Sequence, residues 1–100
     1  MTSKIKFGII GCSSIAKKSA IPAIINSKST TLEMIGSRTV QKSKRFAKEF
    51  SCSNFGTYND VLKNDNVDAV YISLPISLHE KWAIEAAKHG KHILCEKSTS

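Results

Sequence analysis

The chain has 100 residues, of which 41% are hydrophobic and 23% charged, and its formal net charge is +7 at pH 7. This length fits a single domain, and the composition is that of an ordinary globular protein. Every uncharged stretch is shorter than the roughly 20 apolar residues of a membrane span, and the N-terminus has no secretory signal pattern, so a cytoplasmic protein without membrane contact is expected.

The charged residues and the cysteines exclude two further classes of function. Lysine and arginine are spread along the chain, and only residues 42–45 form a local basic cluster, so nucleic acid is not an expected partner. The three cysteines, Cys12, Cys52 and Cys95, are odd in number and form no C-x-x-C pair. They therefore predict neither a disulfide framework nor a metal site.

The first elements alternate between strand and helix. Residues 5–10 are an apolar run without polar alternation, which is typical of a central strand covered on both faces. Small residues at helical spacing follow, and they predict a helix that starts or kinks at Pro22 and ends at Ile25. Residues 32–37 predict a second strand, and the apolar spacing over 43–50 predicts a second helix with a charged outer face.

The second half of the chain continues this alternation. The predicted elements are a short edge strand over 53–55, a short helix over 59–62, an apolar strand over 69–74 and a last strand over 92–95. Between the last two strands lies an amphipathic helix that ends at Gly90, with a predicted buried stripe of Leu78, Trp82, Ala83, Ala86 and Ala87. The order predicts an α/β fold of Rossmann type, a doubly wound parallel sheet of strand order 3-2-1-4-5, over residues 1–100.

The turn after the first strand has the spacing of a dinucleotide-binding motif. Residues 11–16, Gly-Cys-Ser-Ser-Ile-Ala, occupy the frame G-x-G-x-x-[GA], in which Gly11 makes the turn and Ala16 lets helix and strand approach. Ser13 stands at the middle glycine position, which weakens the motif taken alone. A helix N-terminus after such a turn binds phosphate through unpaired N–H groups. The alternative is an ordinary strand-to-helix turn.

The end of the second strand indicates which dinucleotide is bound. NAD-specific sites usually place an acidic side chain there, on the adenosine ribose. This chain has Ser37 and Arg38, which suit a 2′-phosphate, whereas Glu33 lies four residues earlier inside the strand. NADP is therefore the preferred cofactor over NAD. The alternative for Arg38 is a solvated surface arginine.

Together with two later segments, these motifs resemble the Gfo/Idh/MocA oxidoreductases, which include glucose-fructose oxidoreductase and inositol dehydrogenase. The matching segments are residues 9–16, 36–38, 71–75 with His79, and 90–97. The resemblance implies hydride transfer between a nicotinamide cofactor and a secondary alcohol or ketone of a sugar, sugar nucleotide or cyclic polyol. It also implies a homo-oligomer and a C-terminal α+β substrate domain that these residues lack, so little turnover is expected from them alone.

The resemblance further implies individual site residues. Lys97, in the position of the family's Glu-Lys-Pro lysine, is the implied catalytic residue, and Ser98 replaces the proline. Ile76 replaces the family's asparagine, so no contact is transferred to that position. His79 either faces the cofactor or caps and packs its helix. The implied cofactor-binding residues are Gly11, Ser13, Ser14, Ile15, Ala16, Ser37, Arg38, Leu74, Pro75, His79, Glu96 and Lys97.

Two other functions remain open at this point. One is a nucleotide-binding module, a redox sensor or scaffold, that holds NADP without reacting, although the presence of Lys97 favours chemistry. The other is a parallel α/β domain that binds a different phosphate ligand or a protein partner, which would apply if Ser13 blocks the pyrophosphate.

Overall fold

The computed structural model describes residues 4–12 and 16–95. Within them the strands are β1 (Ile5–Ile10), β2 (Thr30–Ser37), β3 (Phe55–Thr57), β4 (Ala69–Ile72) and β5 (His92–Cys95). A π-helical turn over Ala16–Ala20 leads into α1 (Ile21–Asn26), and the other helices are α2 (Val40–Glu49), α3 (Tyr58–Lys63) and α4 (Ile76–Lys88). The strands are parallel and form one sheet in the order β3-β2-β1-β4-β5. This is the predicted fold and strand order.

Helices cover both faces of the sheet, as the apolar strands require. Successive side chains of a strand point to opposite faces, so neighbouring residues of β1 join different clusters. Ile9 is fully buried in a cluster with residues of α1 and α2, among them Ile21, Ile24 and Ala47. Ile10 is fully buried in a second cluster with residues of α3 and α4, among them Val61, Leu62 and Ala86. The domain is therefore doubly wound around β1.

Capping side chains begin two of the helices directly after strands. Thr39 caps α2, and its side chain accepts a hydrogen bond from the Lys42 N–H at 3.4 Å. Thr57, the last residue of β3, caps α3 in a reciprocal capping box with Asp60. Such caps pair N–H groups that have no partner inside the helix. The strand-to-helix turns at this edge of the sheet are consequently short and well defined.

The bounds of three strands differ from the prediction, and the first of these, β2, begins at Thr30 rather than residue 32. The edge strand begins at Phe55 rather than residue 53, because the preceding residues close α2. Ser51 has a φ of +57°, and the Cys52 N–H donates to the Ala47 carbonyl at 2.8 Å. The fourth strand ends at Ile72 rather than residue 74, because its register with β1 and β5 ends there.

The buried stripe of α4 also differs from the prediction. The positions that face the sheet follow the spacing i, i+3, i+4, i+7 and are His79, Trp82, Ala83 and Ala86. Leu78 and Ala87 were predicted to be buried and are exposed instead. Gly90 follows the C-cap residue His89 with a φ of +73°, the left-handed turn that often ends a helix.

Candidate nucleotide-binding site

Among the cavities lined by the described residues, one lies at the amino ends of the strands and another at the carboxyl ends. The larger, about 750 Å³, lies at the amino ends of β1, β4 and β5 and includes Lys4, Asp68 and His92 in its lining. The smaller, about 340 Å³, lies at the carboxyl ends beside Ser37 and Arg38. Ligands of open parallel sheets bind at the carboxyl ends of the strands. The smaller cavity therefore marks the candidate site, although the other cavity is larger.

Gly11 lies where the carboxyl ends of β1, β2 and β4 come together. It follows β1 with a φ of +105°, and its N–H donates to the Gly36 carbonyl of β2 at 3.1 Å. A Cβ at this position would overlap the Ser73 carbonyl oxygen after β4 and lie 2.9 Å from the Leu74 side chain. Glycine is thus the residue that fits both the backbone angle and the space.

Cys12 is a packed thiol in the same turn. Its Sγ donates to the Gly36 carbonyl at 3.8 Å. Burial raises the pKa of the Cys12 thiol, and the hydrogen bond with Ser37 and the charge of Lys42 oppose that rise. Reactive cysteines instead have a lowered pKa. Cys12 therefore has the character of a turn residue rather than a nucleophile.

Ser37 and Arg38 differ sharply in accessibility. Ser37, at the end of β2, is only 3% exposed and its side chain faces Cys12, whereas Arg38 is exposed at the rim of the cavity. Glu33 lies earlier in β2, where its Oε2 accepts a hydrogen bond from Asn54 Nδ2 at 3.3 Å. The charged group at the carboxyl end of β2 is thus the guanidinium, and the carboxylate is held elsewhere.

The residues after β4 form the opposite side of the site. Leu74 packs against the α3 and α4 cluster, and the Pro75 carbonyl accepts hydrogen bonds at 2.9 Å from the N–H groups of Leu78 and His79. The Nε2 atom of His79 is buried, and no described residue forms a hydrogen bond with it. A buried polar atom left unpaired costs about 1–3 kcal/mol. Within residues 4–12 and 16–95, His79 Nε2 is therefore an unsatisfied buried polar atom.

Several predicted site residues lie outside the described part of the chain, namely Ser13, Ser14, Ile15, Glu96 and Lys97. Ala16 begins the π-helical turn after the first of these segments. Both segments continue from the carboxyl edge, since Cys12 follows the end of β1 and Cys95 pairs with Ile72 at the end of β4. The described site thus consists of Gly11, Ser37, Arg38, Leu74, Pro75 and His79.

The sequence interpretation missed part of the cavity wall. Besides Ser37 and Arg38, the cavity is lined by Thr57, Tyr58, Asn59, Leu78 and Trp82. The rings of Tyr58 and Trp82 meet edge to face, with centroids 5.0 Å apart at 69°. The sequence offered one signal that these rings lie at the carboxyl edge of the sheet. Both residues are within two turns of the start of a helix that follows a strand.

Comparison with known proteins identifies the family. The family model described as "Oxidoreductase family, NAD-binding Rossmann fold" (Gfo/Idh/MocA) matches residues 5–98. The chain belongs to the Gfo/Idh/MocA family. This confirms the resemblance based on the motifs.

Similar Gfo/Idh/MocA proteins act on sugars and cyclic polyols. The dTDP-3,4-didehydro-2,6-dideoxy-alpha-D-glucose 3-reductase of Actinomadura kijaniata is 41% identical over 93 residues, which are 93% of this chain and 28% of that protein. The scyllo-inositol 2-dehydrogenase (NADP(+)) of Bacillus subtilis is 32% identical over 94 residues, 93% of this chain and 28% of that protein. The chain thus spans less than a third of the length of these relatives.

A solved structure of the same family has the same fold. KijD10, a 3-ketoreductase from Actinomadura kijaniata solved in complex with NADP and TDP-benzene, superposes with a TM-score of 0.91 at 39% identity. The superposition covers 98% of this chain and 30% of that one.

The described part of the chain contains neither a cluster of metal ligands nor a helix that could span a membrane. Within residues 4–12 and 16–95, no group of three or more histidine, cysteine, aspartate or glutamate side chains is placed to hold a metal ion. In that same part of the chain, no helix has the length and apolarity needed to cross a membrane.

Proposed function

We propose that this chain is the cofactor-binding domain of an NADP-dependent oxidoreductase that acts on a sugar, sugar nucleotide or cyclic polyol. The observation that carries the proposal is the arrangement at the carboxyl edge of the sheet, where Gly11 contacts β2 and Leu74 and where Arg38 is exposed at the end of β2. The family relationship supports the reaction class, and the reductase and dehydrogenase relatives support the substrate class. In the cell we propose a cytoplasmic, homo-oligomeric enzyme.

The residues at this edge fit a dinucleotide. The turn at Gly11 has no room for a side chain beside the Ser73 carbonyl, so glycine there permits the tight turn with which a dinucleotide-binding motif begins. Ser13, Ser14, Ile15 and Ala16 follow in the motif, and we propose that their N–H groups bind the phosphates. When bound, the cofactor would supply or accept the hydride.

Arg38 is proposed to determine the preference for NADP. Its guanidinium is exposed at the end of β2, where the adenosine ribose of a dinucleotide lies. Arginine binds phosphate through paired, charge-assisted hydrogen bonds. Ser37 is buried, so we assign it to packing the turn and Arg38 to the 2′-phosphate contact.

The nicotinamide end is proposed to lie toward β4 and β5. Leu74 and Pro75 would line that half of the crevice, and His79 Nε2 offers an unpaired nitrogen near it. Glu96 and Lys97 follow the end of β5, and we propose that the Lys97 ammonium orients the reacting hydroxyl or carbonyl oxygen and stabilises charge on it.

Calorimetric titration with NADPH and NADH tests the cofactor proposal. Losing a charge-assisted hydrogen bond costs about 1.5–3 kcal/mol, so Arg38→Ala is expected to weaken NADPH binding at least about tenfold. NADH binding should change little. Arg45→Ala, which removes an exposed arginine from the outer face of α2, is the matched control and should leave both affinities unchanged.

Two results would contradict the proposal. If the folded chain binds neither nucleotide, the edge of the sheet is not a dinucleotide site. If Arg38→Ala and Arg45→Ala weaken NADPH binding equally, the effect of Arg38 is one of overall charge rather than of a specific contact.

The role of Lys97 is tested separately in the full-length enzyme that carries this domain, by following NADPH oxidation with a keto sugar nucleotide. Lys97→Ala is expected to lower turnover by about 10²-fold or more at unchanged NADPH affinity, because the lysine acts on the reacting oxygen. A loss of NADPH affinity with normal turnover at saturation would instead make Lys97 a cofactor-binding residue only.

A further inference from the structure

We draw no further inference here: the strongest candidate, the cavity of about 750 Å³ at the amino ends of β1, β4 and β5, where the side chains of Ile5 and Leu94 are exposed, is an unpartnered apolar part of the sheet, and nothing in the described part of the structure shows what covers it.

Discussion

Two glycines with positive φ have different roles at the scale of single residues. Gly11 has a φ of +105° and no room for a Cβ, whereas Gly90 has a φ of +73° and no described atom within 4 Å of a Cβ built there. The backbone angle alone explains glycine at position 90. At position 11 the closeness of the turn to the Ser73 carbonyl, just after β4, explains the glycine as well.

This difference predicts different costs for the two alanine variants. Gly90→Ala should lower the free energy of unfolding by about 1–2 kcal/mol, the cost of a left-handed alanine. Gly11→Ala should cost about 1–3 kcal/mol more, because the Ser73 carbonyl must move as well. Urea denaturation of both variants measures this, and NADPH titration should show lost affinity for Gly11→Ala only. Equal stability of the two variants would contradict the crowding at Gly11.

A second residue-scale feature is the buried end of Lys91. Its Nζ donates hydrogen bonds of 2.7 Å to the carbonyls of Asn64 and Val67, and so ties the α4–β5 turn to the α3–β4 turn. Lys88 instead makes a 3.4 Å contact with Glu85 on the surface.

Lys91→Met is therefore expected to destabilise the fold more than Lys88→Met. Leaving two partly buried carbonyls without a donor should cost about 1–3 kcal/mol, whereas a surface ion pair is worth about 0.2–1 kcal/mol. Thermal and urea unfolding of the two variants measure the difference. If Lys88→Met is as unstable as Lys91→Met, the loss of stability is not specific to the two hydrogen bonds that Lys91 donates.

At the scale of elements, the capping box of α3 makes part of the stability depend on pH. The pKa of Asp60 lies below its ordinary value of 3.8, mainly because its carboxylate accepts a hydrogen bond from the Thr57 N–H. A hydrogen bond with the Thr57 hydroxyl lowers the pKa further. The stabilisation is thus complete above pH 3.8 and is lost as the pH falls through the lowered pKa.

Asp60→Asn should accordingly be less stable than the parent chain at neutral pH by about 0.3–1 kcal/mol, the usual worth of a carboxylate in the first turn of a helix. This difference in the free energy of unfolding between the variant and the parent chain should disappear as the pH is lowered below 3.8. Unfolding measured between pH 7 and pH 2 tests this, with Thr57→Ser, which keeps both donors, as the control. A gap that stays constant over this range would contradict the role of the charge.

The elements also show what the sequence could and could not predict. Buried strands such as Ala69–Ile72 were predictable, because an apolar run without charges has one stable place in an α/β domain. The buried face of α4 could not be predicted, since Leu78 and Trp82 both fit an apolar stripe. Only the packing of the helix shows that Leu78 is exposed. The aromatic cavity wall was missed for the same reason, as it forms between two helices that are distant in sequence.

At the scale of the whole molecule, the proposed site lies where both hydrophobic clusters meet the same edge of the sheet. β1 contributes Ile9 to one cluster and Ile10 to the other, and Gly11 follows it directly. A ligand held at this edge contacts the ends of β1, β2 and β4 together. Binding should therefore oppose unfolding of the entire domain rather than of one segment.

NADPH is expected to raise the melting temperature of the chain. At about 100 times its dissociation constant a ligand adds about 2.7 kcal/mol to the stability of the folded state, and a domain of this size shifts by about 4–8 °C per kcal/mol. A shift of roughly 10–20 °C should appear in a thermal melt. NADH at the same concentration should give a smaller shift, and Arg38→Ala should make the two nucleotides equivalent. A large NADPH shift that survives Arg38→Ala would place the 2′-phosphate contact on another residue.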